Sequence, residues 1–319
     1  MEARIRLTVE ACRSVCRPIS RSGGFLAASH NWLIRRCTSL YVCKATASGA
    51  FGGGADRNSA VFFHSFLTYY SADAGGSTYS TAGPARLLDS RAAVGRPGTT
   101  PVPARGEVSL QVAGRGGVPQ SGVKAVVLNM TVTDAKDGGH LTVWPSGSER
   151  PNSSSLNWTA GQTVPNHVVV PVGADGTVKL FNASWGTAHL IADVFGYYSD
   201  DQAGATFHTA GPKRMLDTRT TGVVPARGST LLDLSGSGEL GRAKAVVLNV
   251  TVTDPKSDGH LTAWPSGTTR PDSSNLNWTT GTTVANLVTV PVGSDGKVEI
   301  ANLGWGSAHV IVDLFGYFA

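Results

Sequence analysis

Two histidines and an aspartate recur at matched positions in the latter part of the chain: His140, His189 and Asp193, then His260, His309 and Asp313. Hydrolysis would ask for a nucleophile elbow beside a histidine. A catalytic metal would ask for a His pair at helical spacing or His-x-His on one strand face. None of these patterns is present, so no catalytic residue, metal or cofactor is assigned. Asp193 sits inside the apolar run His189 to Tyr197, where an acid is ordinarily paired. Its expected partner is Arg86 or Arg91, and that of Asp313 is Arg214 or Arg219; Asp193 with Arg91 and Asp313 with Arg219 are the structural ion pairs first in view. The turns Asp134–Gly139 and Asp254–Gly259 offer oxygens, but each holds a lysine and neither spaces its acids like a calcium loop. Tight turns select Asp and Gly without any ion. Cys12, Cys16, His30, Cys37 and Cys43 do not have the spacing of a zinc finger.

The tryptophans carry more. All but one of the seven belong to matched pairs: Trp144 with Trp264, Trp158 with Trp278, Trp185 with Trp305. An indole beside hydroxyl and amide groups suits a sugar, whose C–H face stacks while its hydroxyls hydrogen-bond. Trp144 and Trp264 share a strand face with His140 and His260. Trp158 and Trp278 lie in Ser/Asn/Thr-rich loops and are expected to be exposed. These six residues form the expected ligand-binding set, against the plainer reading that the rings plug the ends of a sandwich.

The elements that would position them come from a duplication. Lys124-Ala-Val-Val-Leu-Asn-Met-Thr-Val-Thr-Asp134 returns as Lys244-Ala-Val-Val-Leu-Asn-Val-Thr-Val-Thr-Asp254, and the offset holds without a gap to the end of each copy. Strict alternation puts Val126, Leu128, Met130 and Val132 on one face and Val127, Asn129, Thr131 and Thr133 on the other. Gly173–Gly176 and Gly293–Gly296 have the composition of tight hairpin turns. His189 to Tyr197, apolar on both faces, reads as a central strand. Short strands with close turn signals predict an all-β fold: two tandem β-sandwich or small barrel-like domains, residues 81–198 and 207–319, joined by a polar linker at 199–206. Residues 66–80 read as the remnant of a preceding repeat. Residues 1–65 read as an irregular or disordered segment, expected to be a truncation or reading-frame artefact of a longer array. No apolar h-region marks a signal peptide, and no run has transmembrane length. The formal charge of +5 comes largely from arginines near the start, and acids and bases nearly balance from Thr81 onward. The basic stripe of a nucleic-acid partner is missing.

In order, the strings Leu-Asp-Ser/Thr-Arg, Ala-Val-Val-Leu-Asn-x-Thr-Val-Thr, Gly-His-Leu-Thr-x-Trp-Pro-Ser-Gly, Leu-Asn-Trp and His-x-Ile-x-Asp-x-Phe-Gly-Tyr cover residues 80–319. They resemble a repeat of secreted actinobacterial, Streptomyces-type proteins. The resemblance implies an extracellular or cell-surface setting and tandem accessory modules beside other repeats or a catalytic domain. It supplies no catalytic residue and no defined ligand. The leading expectation is a non-catalytic extracellular module binding glycan or cell-wall polymer through tandem copies. A structural spacer or adhesive array is the alternative. An unrecognised hydrolase would need His140 or His189 to meet a nucleophile in a cleft.

Overall fold

A computed structural model describes residues 76–319 apart from Gln202. The cysteines, the segment 1–65 and the part of the remnant before Gly76 lie outside the described residues. The first repeat forms eight strands: β1 (Thr78–Asp89), β2 (Glu107–Gln111), β3 (Val123–Thr133), β4 (Gly139–Pro145), β5 (Leu156–Trp158), β6 (Val164–Pro171), β7 (Thr177–Asn182) and β8 (His189–Ser199). The second repeats them as β9 (Phe207–Asp217), β10 (Ser229–Asp233), β11 (Ala245–Thr253), β12 (Gly259–Pro265), β13 (Leu276–Trp278), β14 (Val284–Pro291), β15 (Lys297–Asn302) and β16 (His309–Phe318). A four-residue helix, α1 (Thr218–Thr221), and a 3-10 turn at Gly238–Arg242 complete the second repeat. Strand β1 begins at Thr78, so the last residues allotted to the remnant belong to the first repeat itself.

Each repeat is a sandwich of two antiparallel four-stranded sheets. Sheet I runs β1-β8-β3-β6 and sheet II runs β2-β7-β4-β5; the second repeat matches with β9-β16-β11-β14 and β10-β15-β12-β13. Only β4 to β5 stays within one sheet, and every other connection crosses between the two. This is the jelly-roll arrangement, which covers two amphipathic sheets with each other. The expected hairpins at Gly173–Gly176 and Gly293–Gly296 are corrected here. Both segments turn tightly, with Gly176 N–H donating to Gly173 O at 2.8 Å, but they carry the chain from sheet I to sheet II. Turn chemistry sets a local reversal and says nothing about which strand the next segment joins.

Alternation governs the cores. Val126, Leu128, Met130 and Val132 point into the first sandwich with Leu141, Leu180, Leu190 and Val194. Val246, Leu248, Val250 and Val252 do the same in the second. The opposite face of β3 is buried as well, because the second repeat covers it. Val127 and Phe195 pack with Ala245, Val247 and Phe318 in a separate apolar cluster shared by the two repeats. Tyr79 stacks on Phe318 with ring centroids 4.2 Å apart, and Phe207 meets Phe318 edge-on at 5.3 Å. His167 on β6 shares a 2.9 Å hydrogen bond with Thr289 on β14, and Asn129 Nδ2 donates to Ser274 O at 2.7 Å.

The linker is part of this contact. Ala205 exchanges two backbone hydrogen bonds with Tyr79 of the first repeat, at 2.9 and 2.7 Å. Thr206 exchanges two with Ala319 of the second, at 2.9 and 3.1 Å. A segment expected to hold two units apart is instead strand-paired to both. Apolar side chains on the outward face of sheet I need cover, and the neighbouring repeat provides it.

Candidate functional site: an exposed tryptophan edge and an arginine-lined depression

The expected ligand set is redistributed by the fold. Trp158 and Trp278 are 5% and 6% exposed and belong to the two cores. Their indole N–H groups donate to Asp137 O and Ser257 O, each at 2.9 Å. The expectation that they are exposed is thus overturned. On the three-residue strand β5, Leu156 and Trp158 face inward and Asn157 outward, and the polar neighbours belong to the flanking turns. Trp144 and Trp264 lie on the outer face of sheet II but under the loops that follow β4 and β12. They donate to Ser148 O and Thr268 O at 3.2 Å. Burying an indole while satisfying its N–H is the structural use of tryptophan.

His189 meets a hydroxyl, in the form of Ser90, 2.9 Å from its Nδ1. Ser90 is fully buried and accepts the Leu190 N–H at 3.0 Å. In the second repeat Thr218 takes both roles, toward His309 Nδ1 at 3.3 Å and Val310 N–H at 2.8 Å. A sealed hydroxyl that either Ser or Thr can supply joins strand ends and is out of substrate reach.

The ion pairs also differ from the pairing first in view. Arg86 Nε donates to Asp193 at 2.7 Å, and Arg214 takes the same place against Asp313. Arg91 and Arg219 pair with the intervening Asp89 and Asp217, at 2.8 and 2.6 Å. Strand register is the reason: Arg86 stands opposite Asp193 across β1 and β8, whereas Arg91 lies past the end of β1. Burial pushes the Asp193 carboxyl up to about 6 against the pull of Arg86. The Asp89 carboxyl is held down at about 2: hydrogen bonds from Arg91 and the charges of Arg91 and Arg86 outweigh burial, which acts upward. Among the described residues no cluster of His, Cys, Asp and Glu could hold a metal ion. Asp134 and Asp254 take left-handed backbone, with φ of 53° and 51°, as turn residues do.

Among the described residues, the tryptophans left in solvent are Trp185 and Trp305, 78% and 81% exposed. Each sits at the tip of the short loop before the last strand of its repeat. Asn182 fixes the first of these loops: its Nδ2 donates to Pro103 O and Gly186 O at 3.0 Å, and its Oδ1 accepts the Ser184 N–H at 3.1 Å. Asn302 repeats the set. Arg105 and Arg227 stand beside the rings in left-handed backbone, φ 58° and 57°, a conformation uncommon for residues other than glycine. Arg105 N–H donates to Ser184 O at 3.1 Å, and its guanidinium carbon lies 5.2 Å from the Trp185 ring centroid. The Arg227–Trp305 distance is 5.1 Å.

In the first repeat this edge borders a depression of about 330 Å³ on the outer face of sheet II. His140 and Thr142 of β4 line it with Phe181 of β7, Arg105, Arg150 and Asn152. Arg150 lies 3.8 Å over the Phe181 ring and Arg105 5.0 Å from it, so an aromatic ring on the outer face is sheltered between two cations. In the second repeat Ala301 replaces Phe181 and Asp272 replaces Asn152. There His260 lines a smaller space of about 180 Å³ between the repeats, with Arg86, Arg91 and Asp193 from the first. Burial, and then the charge of Arg227, pushes the His260 imidazole pKa down. Of the expected set, His140 alone lines the open depression and His260 the junction; the four tryptophans line neither.

Sequence reasoning passed over Phe181 and the exposure of Trp185. Two signals were present. Phe181 is an aromatic residue on the polar side of the alternating strand Thr177–Asn182, and Trp185 is enclosed by Ser184 and Gly186 between two strands.

No protein-family model and no curated protein matches the chain. Among solved structures it is similar to the N-terminal CBM22-1–CBM22-2 tandem domain of Paenibacillus barcinonensis Xyn10C. The identity is 10% and the TM-score 0.22, over 76% of this chain and 100% of that one. It is also similar to the STIV MCP at 7% identity and a TM-score of 0.20, over 76% and 96%. At these scores neither likeness bears on function, and the fold stands on the strand order given above.

Proposed function

We propose that the chain is a non-catalytic tandem module that binds glycan or cell-wall polymer through the loops carrying Trp185 and Trp305, one in each repeat, in the extracellular setting its repeat implies. The observation that carries this reading is the pair of exposed indoles. Leaving a tryptophan in water forgoes about 2 kcal/mol of burial, yet both copies do so at the same place. Both also hold the ring's loop with an asparagine staple and an arginine in left-handed backbone. A flat, rigid aromatic surface flanked by donors is what a sugar ring requires. Two such surfaces on one scaffold add avidity. The buried Ser90–His189 pair offers no support for hydrolysis.

The test is a pull-down of the full chain on insoluble polysaccharides and purified cell walls, beside a Trp185→Ala/Trp305→Ala double variant. The expected result is binding that the double variant loses, with an unchanged thermal midpoint. A Trp144→Phe/Trp264→Phe variant should still bind.

The strand-paired linker and the shared apolar cluster favour a second reading, a rigid spacer or adhesive array. A folded chain that binds no matrix would leave that reading in place.

A further inference from the structure

We infer that the depression in the first repeat takes an anionic group, a carboxylate or phosphate carried on a sugar polymer, and that the second repeat does not. This deepens the glycan reading and rests on it. Arg105 and Arg150 both face Phe181, and neither has a carboxylate partner among the described residues. A guanidinium lying over a ring keeps its in-plane N–H donors at the edge, where a carboxylate or phosphate accepts two of them. No acid lines the depression; its other polar groups are His140, Thr142, Asn152 and Ser153. Arg86, Arg91, Arg214 and Arg219 each sit against an Asp partner, whereas Arg105 and Arg150 are unneutralised cations beside an aromatic edge.

The second repeat keeps the arginines, as Arg227 and Arg270, but has lost the ring and the acid-free lining. Ala301 gives no ring for Arg270 to lie on. Asp272 puts a carboxylate where Asn152 stands, and its backbone carbonyl accepts from Arg86 across the junction. One copy has kept an open cationic depression, and the other uses the same loop to hold the repeats together.

Affinity electrophoresis of the full chain tests this, in gels holding polygalacturonate, its methyl ester or poly(glycerol phosphate). Arg150 and Arg270 are both exposed, so Arg150→Gln and Arg270→Gln remove the same charge from equivalent sites. The wild type should be retarded by polygalacturonate or poly(glycerol phosphate) about tenfold more strongly than by the ester, and Arg150→Gln should lose about that factor. Arg270→Gln should stay within about twofold of wild type. Retardation by polygalacturonate alone assigns a uronate, and by poly(glycerol phosphate) alone a phosphate-linked polymer. Equal retardation by the ester, or equal loss in Arg270→Gln, would overturn the inference while leaving the glycan reading intact. No retardation by any polymer, together with no binding in the pull-down, would overturn both.

Discussion

At the scale of single residues, position in the fold outweighs residue type. His140 and His260 occupy matched strand positions, yet one lines an open depression and the other a junction between repeats. His167 shows the energetic consequence. Its ring is buried against Thr289, and burial pushes its pKa down to about 4. The unfolded chain takes up a proton near the ordinary value of 6.5, while the folded protein stays neutral at this site until about pH 4. Stability is therefore lost as pH falls from about 6.5 to about 4, by roughly 3 kcal/mol in all. The second repeat carries Leu287 at this position. His167→Leu should remove that slope, leaving the variant gaining on the wild type as pH drops, as read from urea midpoints at pH 7 and 4.5. Asp193, raised to about 6, gives a slope of opposite sign over roughly the same range. Both proteins share it, so the difference isolates the histidine. A wild type and variant that keep a constant gap across this range would refute the assignment.

At the scale of elements, the repeated asparagines decide whether the tryptophan loop exists as a fixed shape. Asn182 and Asn302 are fully buried and satisfy the backbone of two loops at once. Asn182→Ala and Asn302→Ala would each strand several buried carbonyls and an N–H, at a cost of about 2–4 kcal/mol. Urea unfolding should show that loss in both variants, and polymer binding at Trp185 or Trp305 should weaken with it. An Asn182→Ala protein of wild-type stability would mean the loop is held by something else. Much at this scale was legible beforehand. The alternation in Ala125–Thr133 identified its inward face, and the turn residues marked where strands end. The crossing at Gly173–Gly176 was not legible, because the same Gly-x-Asp-Gly chemistry serves a hairpin and a sheet-to-sheet corner alike.

At the scale of the whole molecule, two sandwiches behave as one body because sheet I of each offers apolar side chains to the other. Tyr79 is central. Its hydroxyl donates to Phe195 O at 2.9 Å, its ring stacks on Phe318, and its backbone pairs with the linker. Gly196 lets the ring lie against the strand, since a methyl group there would overlap it. The wild type should unfold in a single calorimetric transition. Tyr79→Ala, losing about 3–4 kcal/mol of packing, should separate the repeats into two transitions and expose the linker to protease. A single transition with an intact linker in the variant would show that the remaining contacts suffice. The contact is also unequal. Phe195 is 1% exposed beneath the second repeat, while its counterpart Phe315 is 43% exposed.

Sequence alone was enough for the duplication, the all-β class and the inward faces, since each follows from period, alternation and local turn chemistry. It also narrowed the partner of Asp193 to two arginines. The fold itself chose between Arg86 and Arg91, through the register of β1 on β8. It alone decided that Trp158 is core and Trp185 is surface, since both stand among small polar residues and exposure depends on what packs above them. And it decided that matched residues in two similar copies end in different surroundings, because an asymmetric contact between the copies is not encoded in either copy alone.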